Sequence, residues 1–243
     1  MSQILTDVRL FAVGADLSGN SNKVELGAEH EEKDVTNYRS KGWKEVLGGI
    51  GSAEISGEGQ WEAGDPSKVD DASWAQLGGL GPWTVCPGEA TVGALAYLTS
   101  AMRADYKLLD AVGEVAPWAG TAKSSWPLVR GQIAHPPGTA RTASGSGTAL
   151  QLGAVPAGAR LYAALHVLSA AGTTPSLTVA IESDDAVGMA TPTSRLTFAA
   201  ASAPGGQILR TSGAAITDTY YRATWTVSGT GPSFLFALSL GIR

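Results

Sequence analysis

The feature that most constrains this chain is a two-residue hydrophobic alternation, interrupted at short intervals by glycine and proline. Leu177, Val179 and Ile181 alternate with Ser176, Thr178 and Ala180, and Tyr221, Ala223, Trp225 and Val227 alternate with Arg222, Thr224 and Thr226. That period sends successive side chains to opposite faces of an extended chain, so it specifies half-buried strands. The longest such face is Phe234, Phe236, Leu238, Leu240 and Ile242; Leu196 with Phe198, and Leu161-Ala163-Leu165-Val167, extend the set. Turn signals fall at Pro156-Ala157-Gly158, Gly172-Thr173-Thr174-Pro175, Pro204-Gly205-Gly206 and Gly229-Thr230-Gly231-Pro232. The spacing predicts an antiparallel β-sandwich or jelly roll. Thirty-one glycines in 243 residues and a charged content of only 16% fit a mainly β chain with many turns and exclude a solvated disordered one.

The first half is less regular. Val8 to Val13 reads as an opening strand, Lys23 to Leu26 as a second and Ser52 to Trp61 as a third. In the third, Ala53, Ile55, Gly57, Gly59 and Trp61 share one face, and Ser52, Glu54, Ser56, Glu58 and Gln60 share a wholly polar one, so one side packs and the other meets water. Asp70 to Leu77, with acids at its start and Gly78-Gly79 after it, predicts one short helix. Thr91 to Met102 is ambiguous between helix and strand; Tyr106 to Val115 and Leu128 to Ile133 complete the strand candidates. Residues 1–138 carry 18 acids and 11 bases, whereas 139–243 carry 4 acids and 6 bases, and a Pro/Gly/Ser-rich stretch from His135 to Gly147 lies between. We therefore expect two domains, 1–138 and 139–243.

Charge and chemistry narrow the function classes. A net charge of −5 has the wrong sign for gripping phosphates. The single cysteine, Cys86, can form neither an internal disulfide nor a thiolate metal cluster and reads as a buried inert thiol. Neither a basic and apolar leader nor a run of 18 apolar residues occurs, so no membrane association is expected and synthesis in the host cytoplasm is. His30-Glu31-Glu32-Lys33-Asp34 begins like a zinc-protease helix but ends in Asp34, and reads as a solvated loop. Gly49-Ile50-Gly51-Ser52-Ala53-Glu54 lacks the third glycine of a dinucleotide loop and reads as a turn. Glu182-Ser183-Asp184-Asp185 is a hairpin turn or a sparse calcium loop. His135 and His166 read as structural. No cofactor, metal or catalytic residue is assigned, and the chain is expected not to be an enzyme. Seven tryptophans leave open a non-catalytic carbohydrate-binding β-sandwich module, against the alternative that they anchor a core of small residues.

Asp34-Val35-Thr36-Asn37-Tyr38, Gly42 and Gly49 through Trp61 resemble the loop and following strand of major tail tube proteins of long-tailed, siphovirus-like bacteriophages. Leu165-His166-Val167-Leu168, Ser183-Asp184-Asp185, Ile216 to Arg222 and Gly231 to Phe234 resemble segments of phage tail proteins with a galectin- or jelly-roll-type sandwich. The resemblance implies a tail-tube-like β-sandwich or barrel followed by an antiparallel sandwich. It implies a structural virion protein forming stacked rings, commonly hexameric, through which DNA leaves without specific binding. Its partners would be itself and the tail tip, tape measure and terminator proteins. A long loop, here 28–49, would reach the next ring, with Thr36, Tyr38 and Trp43 as anchors. Glu54 and Glu58, on the polar face, would line the lumen, unless that face turns outward to solvent.

Overall fold

The computed structural model describes residues 4–65 and 68–243; the first three residues, part of the N-terminal stretch read above for a leader, lie outside it. The fold is mainly antiparallel β. In chain order the elements are β1 (Arg9–Ala12), β2 (Ala15–Asp16), β3 (Ser21–Asp34), β4 (Val46–Gln60), α1 (Val69–Gln76), β5 (Leu80–Cys86), β6 (Leu95–Leu108), β7 (Pro117–Ser124) and β8 (Val129–His135). They continue with β9 (Gly145–Ser146), β10 (Leu150–Gln151), β11 (Leu161–Asp184), β12 (Thr193–Thr197), β13 (Gly205–Arg210) and β14 (Tyr220–Ile242). Among the described residues α1 is the only α-helix, and no helix is long and apolar enough to cross a membrane.

β11 and β14 form the spine. They pair from Leu161↔Ile242 to Asp184↔Tyr220, and the two strands continue through the predicted turns at residues 172–175 and 229–232, where the register shifts on either side of the Thr173↔Thr230 pair. These are bends inside long strands. Gly172 and Gly229 both adopt a φ of +116°. A Cβ on Gly172 would lie 2.7 Å from the Gly231 carbonyl oxygen, and one on Gly229 2.8 Å from that of Thr174. Only glycine allows both the backbone angle and this strand-to-strand approach. The two halves of the ribbon thus fold over one core that holds Leu165, Val167, Val179, Ile181, Trp225 and Phe236. The Trp225 and Phe236 rings meet edge to face at 5.9 Å, although eleven residues of straight strand would hold them roughly 35 Å apart.

The first half packs β1, β5, β6, β7, β4 and α1 around Leu10, Leu17, Ile55, Trp83 and Trp118. Helix and strand candidates resolve here. The ambiguous 91–102 segment is strand from Leu95 onward, because β6 is paired on both sides, with β5 and with β8. The predicted strand to Val115 ends at Leu108, where Leu109 takes a φ of +73° and the chain turns. Arg103 is buried with its guanidinium 4.9 Å over the Trp83 ring, and burial lowers its pKa to about 10.

The two halves share one continuous sheet, because β8 pairs with β6 on one side and β14 on the other. Two small cores fill the junction, one around Phe11, Cys86, Ile133 and Ala237, the other around Leu98, Val129, Tyr162 and Ala164. A buried polar relay there joins β5, β11 and β14 to the turn between β1 and β2. The Gly14 N–H donates to His166 Nδ1 at 3.4 Å, which leaves the ring proton on Nε2, 3.0 Å from Thr84 Oγ1; that hydroxyl lies 3.1 Å from Ser239 Oγ. Burial holds His166 neutral, with its pKa pushed down to about 3. His135 is lowered to about 4, chiefly by burial, while it stacks on Phe236 at 3.9 Å and accepts from Arg141 Nε at 2.9 Å. Both histidines are structural, and Cys86 is buried with its thiol raised to about 12 by that burial.

Two outcomes are expected. Gly172→Ala or Gly229→Ala should each lower the unfolding free energy by about 2 kcal/mol or more, through backbone strain added to a clash. Gly138→Ala, where a Cβ meets nothing within 4 Å, should stay within about 0.5 kcal/mol. Chemical denaturation checks both. Because the unfolded chain protonates its histidines below about pH 6.5 and the folded chain resists until about pH 4 for His135 and 3 for His166, stability is complete above about pH 6.5 and falls as the pH drops below it. His166→Gln should flatten the slope of the denaturation midpoint between about pH 6.5 and 5, above the ordinary carboxylate range.

Candidate functional site

The part of the molecule least explained by its own stability is the β3–β4 hairpin. The two strands pair from Ser21↔Gly59 to Asp34↔Val46, so most of the predicted 28–49 loop is ladder and its tip is confined to 35–45. Gly49 and Gly51 lie inside β4 and form no turn. A Cβ on Gly51 would meet the His30 ring at 2.8 Å, and one on Gly49 the Glu31 side chain at 3.1 Å, so these glycines make room for side chains crossing the hairpin. Toward Gln60, β4 behaves as its alternation requires: Ala53, Ile55, Gly57 and Gly59 are buried, and Glu54, Glu58 and Gln60 are exposed. Gly57 leaves space for Trp118, whose ring a Cβ would approach at 2.7 Å. From Ser52 back to Val46 β4 has no buried residue, and neither has β3. Val24 and Leu26 of β3 and Ile55 of β4 still pack with the first-half core, and beyond them the hairpin is an arm standing clear of it.

The tip is built by its own polar groups. The Thr36 N–H donates to Asp34 Oδ1 at 2.8 Å, and the Glu45 N–H donates to Thr36 Oγ1 at 2.9 Å. This pairing with Thr36 holds the Asp34 carboxyl below its ordinary pKa. Asn37 Oδ1 accepts from the Arg39 N–H at 2.9 Å, while the Asn37 N–H donates to Ser40 Oγ at 3.1 Å, a reciprocal cap on a single 3-10 turn. Lys41 and Gly42, with φ of +49° and +84°, reverse the chain. Thr36 is thus committed to closing the tip, whereas Tyr38 and Trp43 are 107% and 80% exposed. Val46, Leu47 and Ile50 are exposed beside them on β4. The sequence reading missed these three, which sit in a Gly-rich run with no alternation to mark a surface.

Glu54 and Glu58 lie on the exposed face of the sheet formed by β3, β4 and β7. Neither stands alone: Glu54 pairs with Lys123 at 3.9 Å and Glu58 with Lys23 at 3.5 Å. Lys23 also meets Glu25 at 3.1 Å, and the two carboxylates, Glu25 first, raise its pKa. With Glu29 on the same strand, four acids of β3 and β4 face two lysines, an acidic but cross-linked surface.

Other candidate chemistry is accounted for structurally. Asp184 accepts from the N–H groups of Ala186 and Thr191 at 3.1 and 2.8 Å, Glu182 pairs with Arg222 at 3.0 Å, and Asp218 is held low in pKa by Ser183 and Arg195. Among the described residues no group of three or more His, Cys, Asp or Glu side chains is arranged to hold a metal ion. Trp83, Trp118 and Trp225 are core residues; Trp61 donates to Asp70, and Trp126 lies under Arg210 at 4.3 Å. Trp43 and Trp74 are exposed, on separate elements. A cleft of about 790 Å³ opens between the halves, and its one cation among the described residues, Arg9, is paired to Asp7 and Asp16 at 3.1 and 3.8 Å.

No family model and no curated protein matches the sequence. Among solved structures the chain is similar to a chain of the virion of a native gene transfer agent particle, at 21% identity and a TM-score of 0.43 over 52% of this chain and 97% of that one. It is also similar to a chain from the tail of an empty gene transfer agent particle with C6 symmetry, at 20% and 0.40 over 50% and 91%. A third is the Dit protein of phage SPP1, a hub adsorption-apparatus protein, at 9% and 0.35 over 98% and 100%.

Since Tyr38 and Trp43 touch little within their own subunit, Tyr38→Ala and Trp43→Ala should each change monomer stability by less than about 0.5 kcal/mol. Trp118→Ala should cost about 3–5 kcal/mol. Urea unfolding at low protein concentration measures the contrast.

Proposed function

We propose that this chain is a structural tail protein of a phage-type particle whose copies close into rings, hexameric as the sequence resemblance implies, and stack into a tube that conducts DNA. The observation that carries this reading is the free arm: a self-capped distal hairpin that adds no residue to the hydrophobic cores and holds Tyr38 and Trp43 out to solvent. Such an arm calls for a partner surface, since exposed apolar groups on an unpartnered subunit favour aggregation. β3 adds a second reason. Among the described residues it pairs only with β4, so its 14 residues present one open edge, studded with charged side chains that discourage indiscriminate pairing. Head-to-tail use of such an edge closes rings, while the arm reaches along the stack.

The sheet face bearing Glu54 and Glu58 suits the lumen. Repeated around a ring, its excess of carboxylates repels phosphates, and the lysine pairs keep the wall hydrated without leaving free cations to trap DNA. Other partners are the tail tip, tape measure and terminator proteins, and the site of action is the virion. Residues 139–243 would form a second domain on the wall or exterior of the tube.

Electron microscopy of the purified protein across a concentration series should show stacked rings with a central hole, and the combined variant Tyr38→Ala/Trp43→Ala should give unstacked rings or monomers. Persistent monomers of the unaltered protein at all concentrations, with or without tail-tip protein, overturn the reading. Glu54→Lys/Glu58→Lys should still form tubes but retain short duplex DNA in a fluorescence-anisotropy assay; tubes that gain no DNA binding would place that face outside the lumen.

A further inference from the structure

We infer that the arm of one copy docks on the 109–116 loop of the next copy, a surface that no sequence motif marks. The inference rests on the stacking role proposed above. Its first support is placement. β4 pairs with β7 from Gln60↔Pro117 to Glu54↔Lys123, so the arm leaves the sheet at the Lys123 end, while the loop joining β6 to β7 lies beyond Leu108↔Trp118 at the other end. The fifteen residues of β4 span roughly 50 Å at about 3.3 Å per residue. Arm and loop therefore cannot meet within one subunit, yet successive copies translated along the strand direction bring them together, which is the geometry of an open head-to-tail stack.

The second support is complementarity. Leu109, Val112 and Val115 are 66%, 106% and 72% exposed, a concentration of apolar groups matched in kind by Tyr38 and Trp43. Asp110 and Glu114 flank them on the loop, and neither has an ion-pair partner among the described residues. At the tip the cations left without such a partner are Arg39 and Lys41, because Lys44 is engaged by Glu32. Two open cations beside two aromatics thus face two open carboxylates beside three aliphatics. Leu109 adds a third observation: an exposed leucine at φ +73° is unfavourable both in conformation and in solvation for an isolated subunit, and Asn or Gly would suit it better.

The test uses the full chain and reads assembly by sedimentation velocity and electron microscopy. Arg39→Glu/Lys41→Glu and Asp110→Lys/Glu114→Lys should each raise the concentration needed for stacking by about tenfold or more, equivalent to roughly 1.4 kcal/mol. The chain carrying all four reversals should stack again, because the charge pairs are restored with signs exchanged. Leu109→Asn should fold normally and stack more weakly. Tyr38→Cys/Val112→Cys, oxidised after assembly, should give a ladder of disulfide-linked chains on a non-reducing gel; the native Cys86 is buried and contributes no background. Failure of the four-fold reversal to stack, or assembled tubes without a ladder, overturns the inference. If Tyr38→Ala/Trp43→Ala abolishes stacking while the loop variants do not, the arm keeps its role and the docking surface is elsewhere. If that arm variant stacks normally, the stacking role itself fails.

Discussion

The rest of the structure depends on the bend shared by β11 and β14. Each strand carries a glycine at φ +116° where the other strand's carbonyl approaches, so the two strands bend together through a pair of register shifts and resume pairing beyond them. A single pair of strands then supplies both leaves of one core, and its inner leaf is also the sheet to which β8 attaches. The first half is positioned through that attachment together with the two junction cores and the His166 relay. The His166 relay lies along the same seam, and its neutrality is a condition of the packing: a charged imidazole there would be buried with hydroxyls and one amide as its only partners.

β4 shows how one strand can divide stability from interaction. Its C-terminal half alternates buried small residues with exposed acids, and glycines at 57 and 59 let Trp118 and the chain at Asn20 close over it. Its N-terminal half has no buried residue, and the hairpin persists there through backbone pairing, with the Ser52 hydroxyl donating to Glu29 and the Lys44–Glu32 pair beside the tip. The exposed apolar groups of the arm and the 109–116 loop gain nothing by being where they are in a lone subunit. Their separation to opposite ends of one sheet gives the proposed contacts a direction along the strands, in which successive translated copies would be joined arm to loop.

Several elements were legible from residue pattern alone. β4 near Ile55, β14 near Phe236 and α1 after Asp70 carry alternation or capping signals that local sterics and burial make decisive. β5 and β7 were not legible. Pro82, Trp83 and Cys86 give no period in a strand buried nearly throughout, and Pro117 to Ser124 is mostly small residues whose burial follows from β4 and β6 on either side. The bends at 172–175 and 229–232 looked like chain reversals because glycine and proline mark a local break and not what lies across from it. Tyr38 and Trp43 could be singled out as aromatics in a polar stretch, whereas Leu109, Val112 and Val115 resembled a strand until the turn at Leu109 placed them in solvent.

By itself the sequence determined the mainly β class, the single short helix and the polarity of each face of β4, because these follow from side-chain period and backbone sterics within a few residues. Tertiary structure alone decided that β11 and β14 fold over one another, that most of the 28–49 segment is a paired arm, and that Thr36 closes its tip while Tyr38 and Trp43 stay exposed. Those outcomes depend on pairings between residues far apart in the chain, whose energies no local window contains.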